Sequence, residues 1–193
     1  MNRRHWLLGL VVLLGGAAIG RMFSLAPPPE ESFAERPVRF ELEDQNGQRV
    51  RAEDLRGRIL LVFFGYTHCP DICPATLVQM SEVRRQLAPE APFAGLFITV
   101  DPARDNRGRL KQYVDHFDPE LLGLRGTPAR IAEAARSFGA VYERGGDLPD
   151  GGYLMGHTAF GYVVDSAGRV AQVFEQGTSA DAYAAHIRSL LVE

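Results

Sequence analysis

The feature that most constrains this chain is the run Ile59-Leu60-Leu61-Val62-Phe63-Phe64, apolar throughout and closed by Gly65. A strand with one face in water alternates apolar and polar residues, so an unbroken run of this kind describes a strand covered on both faces. Covering both faces requires a layer of chain above the sheet and another below it.

The rest of the chain supplies those layers. Residues 38–43 alternate, and Asn46-Gly47 signals a hairpin turn before Arg49-Val50-Arg51. After Pro74, the residues Leu77, Met80, Val83, Arg84 and Leu87 recur at helical spacing, and a proline suits the first turn of a helix. Residues 93–100 read as a second buried strand, 106–117 as a helix and 121–124 as a short strand. Thr127 can cap a helix that opens at Pro128 and runs to Phe138. Residues 140–142, 158–164 and 170–174 read as strands, the last two joined over 165–168, and Ser179 caps a closing helix. The expected fold is α/β, a three-layer α/β/α domain. A cysteine motif between the first long buried strand and the next helix matches the thioredoxin-like plan.

The chain has 193 residues, and residues 37–193 suffice for one domain whose core needs no structural disulfide. Net charge is −3 and the basic residues, Lys111 aside, are arginines scattered among acids. Without a basic stripe there is no footprint for nucleic acid.

Arg3 and Arg4 precede a largely apolar stretch at 6–26, interrupted at Arg21. That is about the 20 residues a helix needs to span a bilayer. The positive flank favours a cytoplasmic amino terminus and a body on the extracytoplasmic, periplasmic-type side. Residues 1–26 therefore read as a transmembrane anchor, or as a signal peptide cut after Ser24-Leu25-Ala26, against which Pro27 counts. Pro27-Pro28-Pro29 with Glu30 and Glu31 makes 27–36 an extended, solvated linker to the domain at 37–193.

Cys69 and Cys73 are the only cysteines, and a disulfide across so short a loop stabilises little. Their segment, Gly65-Tyr66-Thr67-His68-Cys69-Pro70-Asp71-Ile72-Cys73-Pro74, lies at a strand-to-helix crossing, where ligand sites gather in α/β sheets. Cys73 falls at the helix amino terminus, whose free N–H groups favour a thiolate there. The CxxxC spacing leaves room to bracket a metal, and it also permits a disulfide, since residues four apart on a helix have Cα atoms about 6 Å apart. Two soft thiolates select Cu(I), an added imidazole also accommodates Cu(II), and zinc takes the same groups.

A third ligand has to come from His68, His116, His157 or His186. His68 adjoins Cys69 and is expected to point away from the side its neighbour faces. His116 and His186 sit on expected helices among polar residues and read as surface. His157 follows the glycine-rich loop 151–156 into a strand, and such a loop can fold back over the cysteines. The residues alone leave it equally a ligand or a loop histidine.

Three blocks in order, 64–74, then Val100-Asp101-Pro102 with Arg104-Asp105, then Gly156-His157-Thr158-Ala159-Phe160 before Val163-Val164-Asp165, resemble the Sco/SenC copper proteins of cytochrome c oxidase assembly. The resemblance covers residues 40–191. It implies a copper metallochaperone that binds one copper ion, as Cu(I) or Cu(II), through Cys69, Cys73 and His157. The implied partners are the CuA site of oxidase subunit II, or another copper acceptor, and other copper chaperones. The role is to deliver copper to that site or to prepare its thiols. Asp71 stands between the cysteines where the family usually carries an acid, which implies an outer contact or partner docking; a helix amino-terminal acid balancing the dipole explains it equally. Gly156 departs from the pattern, because relatives often carry an acid before the histidine. Met155 reads as loop packing. Two other functions stay open: a thiol-disulfide reductase that uses Cys69 and Cys73, with Cys69 as the attacking thiolate, and a copper or redox sensor. Nothing beside the cysteines suggests a peroxide pocket.

Overall fold

A computed structural model describes residues 37–149 and 151–192. The expected anchor at 1–26 and linker at 27–36 lie outside the described residues. Among the described residues no helix is long and apolar enough to cross a membrane.

The apolar run forms β3 (Ile59–Gly65), with every residue buried. It pairs in parallel with β4 (Phe93–Thr99) on one side and antiparallel with β8 (Gly161–Val164) on the other. β5 (Leu122–Leu124) and β9 (Val170–Phe174) complete a five-stranded sheet in the order β5-β4-β3-β8-β9. β1 (Glu41–Glu43) and β2 (Arg49–Arg51) form a separate hairpin. Its turn is fixed by Gly47 at φ 87° and by the Asp44 carboxylate, which accepts from the N–H groups of Asn46 and Gln48.

Among the described residues four α-helices cover the sheet: α1 (Ile72–Gln86), α2 (Arg107–Phe117), α3 (Pro128–Phe138) and α4 (Ala180–Leu191). Glycines show where they come close. A Cβ on Gly65 would sit 2.8 Å from the Cys73 sulfur, one on Gly123 2.9 Å from Leu110, and one on Gly161 2.2 Å from Tyr183. Register places Phe97 opposite Phe63 and Gly123, and Gly161 opposite Phe63, so α1, α2 and α4 share one face. On the other face Phe138 of α3 stacks edge-on against Phe64 and Tyr162. The sheet is sandwiched as expected, three helices against one, in a thioredoxin-like arrangement.

Thr127 and Ser179 cap helices where the sequence puts them, and Asn106, read as the first residue of a helix, is its cap. Asn106, Thr127 and Ser179 each accept a hydrogen bond from the N–H three residues on. The differences lie in the segment before β8. The expected strand at 140–142 is β6 (Tyr142–Asp147), and four of the six residues of the expected loop at 151–156 belong to β7 (Tyr153–His157). The two pair antiparallel as a ribbon of their own, with His157 opposite Tyr142.

Candidate metal centre

β3 delivers the cysteine segment to the carboxyl end of the sheet, and a turn closed by Cys69 N–H on the Tyr66 carbonyl (3.2 Å) brings the first cysteine back. Helix α1 opens two residues earlier than the proline suggests, so Cys73 lies inside its first turn, fully buried. Cys69 is half-buried, and both cysteines are free.

Cys73 donates its backbone N–H to the Cys69 sulfur at 3.4 Å, and its thiol points at the same sulfur. Those contacts, led by the thiol, outweigh partial burial and hold Cys69 far below an ordinary thiol, at about 4, with the Asp71 N–H adding to them. Cys73 moves the opposite way: donation to Cys69 and then burial keep its proton on. The expectation of a thiolate at Cys73 is thus corrected. The helix terminus does stabilise an anion, but the anion is on Cys69, to which the terminal N–H groups point.

His157 closes the group. Its Nε2 lies 3.6 Å from the Cys73 sulfur, and its Nδ1 is 3.2 Å from the Thr158 carbonyl. That second contact makes Nδ1 the protonated nitrogen and leaves the Nε2 lone pair facing the sulfurs. The ring is set edge-on against Phe63 and Tyr66, each 5.8 Å away between centroids. Donor atoms of Cys69, Cys73 and His157 all lie within 4.8 Å of one another. Two sulfurs and one imidazole nitrogen converging on one point are a donor set for a soft transition-metal ion.

The other candidates separate. His68 turns its Nδ1 to the Thr67 hydroxyl (3.3 Å) and toward Asp105 (3.6 Å). His116 is exposed on α2 beside Phe117. His186 departs from its surface reading: its ring packs on Phe174, and its Nε2 is buried. Met155 packs against the core from β7. Asp71 is exposed at the N-cap of α1 and makes no side-chain cap.

Sequence reasoning did not give a task to the residues that hold this arrangement. Asp105 is fully buried and accepts from the N–H (3.0 Å) and hydroxyl (2.6 Å) of Thr67, two residues before Cys69. Asp101, 3% exposed, accepts from the Tyr153 hydroxyl at 2.8 Å and from Arg104. Both acids were visible directly after the second buried strand, a place where an acid needs a partner.

Fold and geometry together define a thioredoxin-like domain in which two sulfurs and one imidazole form a group able to hold a metal ion. The SCO1/SenC family profile matches residues 29–192, and the chain belongs to that family. It is 39% identical over 137 residues to an SCO2-like protein of Rickettsia conorii, an alignment covering 70% of this chain and 67% of that one. Among solved structures, copper-bound ScoI of Bradyrhizobium japonicum superposes with a TM-score of 0.74 at 40% identity, over 80% of this chain and 99% of that one. Copper-bound ScoI of Arabidopsis thaliana gives 0.75 at 28% identity, over 81% and 98%.

Proposed function

We propose that the protein is a copper metallochaperone: Cys69, Cys73 and His157 hold one copper ion and pass it to an acceptor in cytochrome c oxidase assembly, the CuA site of subunit II. The observation that carries this reading is the convergence of the three donors within 4.8 Å. Family membership and the copper-bound ScoI relatives favour copper over zinc, which the donors also accept.

The copper is cargo, so it has to leave. Cys69 is already a thiolate; Cys73 gives up its proton as the ion enters, and that proton release makes loading pH-dependent. Three protein donors leave the ion open to attack by an incoming ligand, so it crosses by stepwise exchange without change of oxidation state. Residues 1–26 would hold the domain at the extracytoplasmic face of the membrane, near such an acceptor. Exposed Asp71 at the rim is suited to docking a partner, and not to coordinating.

Metal analysis of the full chain after copper loading tests the reading. One copper per chain is expected, lost on Cys69→Ser or Cys73→Ser; stoichiometric copper on either variant contradicts it. Asp71→Asn should bind copper normally and release it more slowly to a subunit II fragment; unchanged transfer removes Asp71 from docking.

One observation favours a second activity at the same residues, a half-buried thiolate beside a fully buried thiol. Cys69 would attack a partner disulfide, forming a mixed disulfide and releasing one partner thiolate. Cys73 would then attack Cys69, its proton passing to the departing sulfur, so that the second partner sulfur leaves as a thiol and a Cys69–Cys73 disulfide remains. Two electrons pass to the partner, and an external dithiol resets the pair. His157→Ala separates the activities: copper affinity falls, while disulfide reduction survives.

A further inference from the structure

We infer that Arg104 and Tyr153 are positioning residues for His157, locking its ribbon onto the turn that also holds the cysteine segment. The inference rests on the copper reading above and says how the third donor is brought to the other two.

His157 ends β7, and among the described strands β7 pairs only with β6. The ladder of the main sheet therefore does not fix where the ribbon lies. Contacts at its base, Thr158 N–H to the Val141 carbonyl (2.8 Å) and Val141 N–H to the Thr158 hydroxyl (2.9 Å), close the ribbon on itself. Side chains have to set its position over the cysteines.

Tyr153 lies four residues before His157 and, by strand alternation, on the same face. The Arg104 guanidinium lies 3.5 Å from the Tyr153 ring centroid, and its Nη1 donates to the Tyr153 carbonyl at 2.8 Å. Its Nε donates to Asp101, whose other oxygen accepts from the Tyr153 hydroxyl. Arg104 thus grips Tyr153 by ring and carbonyl while both residues share one buried carboxylate. On β6, Arg144 approaches the same ring at 4.3 Å. Between the clamp and the histidine, the Met155 N–H meets the Tyr66 hydroxyl, and Tyr66 is one of the two rings that orient His157.

The clamp shares its turn with the other ligand segment. The N–H groups of Arg104 and Asp105 both close on the Asp101 carbonyl, at 3.2 and 2.9 Å, while Asp105 holds Thr67 ahead of Cys69. One turn after β4 therefore carries both frames, and displacing Tyr153 moves His157 against a stationary Cys69. A guanidinium fork and a hydroxyl are both needed, so Lys at 104 or Phe at 153 loosens the clamp while retaining charge or ring.

The test uses the full chain and a chromophoric Cu(I) chelator as competitor. Tyr153→Phe and Arg104→Lys should each weaken copper binding by about tenfold, the lower end for partners that orient a ligand. In the His157→Ala background the same substitutions should change nothing further. If His157→Ala binds copper as tightly as the native chain, the three-donor reading itself fails. If His157→Ala is weakened but neither substitution has an effect, the positioning role fails. It fails also if the loss persists undiminished without the histidine, since the clamp then acts on something else. Should Arg104→Lys not fold, Tyr153→Phe decides alone, because it keeps the ring and removes one oxygen.

Discussion

At the residue scale, the two cysteines are chemically unlike although their sequence surroundings are similar. Cys69 is an acceptor of hydrogen bonds and half open to solvent; Cys73 is a donor and fully buried. The difference makes a directional prediction about pH. A thiol at its ordinary value near 9.0 alkylates faster by about tenfold per pH unit below that value. With its value lowered to about 4, Cys69 is already ionised at neutrality and loses its thiolate only as pH falls through that value. Its reaction with iodoacetamide should therefore be flat between about pH 5 and pH 8. Cys73→Ala removes the leading cause and should restore the steep rise. A steep rise in the native chain would contradict the assigned thiolate. The sequence pointed to a thiolate near the helix end, but which sulfur carries it depends on burial and on one thiol-to-thiolate contact, neither of which spacing encodes.

At the scale of elements, legibility follows apolar content. β3 and β4 are buried along their whole length, and their runs announced them. β6 and β7 are mostly exposed or half-exposed and carry Gly145, Gly146 and Gly156, so no alternation marked them, and a strand was read as part of a loop. His157 could be named as a candidate from its loop. Its placement could not, because the contacts that set it join residues 49 and 52 positions apart. The meeting of β3 with α1 offers its own test. At Gly65 a Cβ would lie 2.8 Å from both the Cys73 sulfur and Phe97. Gly65→Ala should cost roughly 1–3 kcal/mol in urea unfolding, as overpacked cores do, and weaken copper binding by moving Cys73. Native stability with native affinity would show that this close approach is unimportant.

For the whole molecule, the three proposed ligands come from two places, a helix start beside the central strand and a ribbon that pairs outside the main sheet. A metal that joins them binds only the folded chain, so copper should stabilise it. At a thousandfold excess over Kd the gain is about 4 kcal/mol, a rise of roughly 10 °C in Tm for a chain of this size. Scanning calorimetry with and without Cu(I) checks this, and Cys69→Ser should abolish the shift. The same division explains what the resemblance contributed. Its middle block, Val100-Asp101-Pro102 with Arg104-Asp105, supplies none of the three proposed donors, yet Asp105 holds Thr67 before Cys69 and Asp101 holds Tyr153 before His157. The donor set itself is read by X-ray absorption at the copper edge on the loaded full chain. Two sulfur scatterers and one imidazole nitrogen are expected, the nitrogen lost in His157→Ala; a first shell of sulfur alone, unchanged by that substitution, would contradict it.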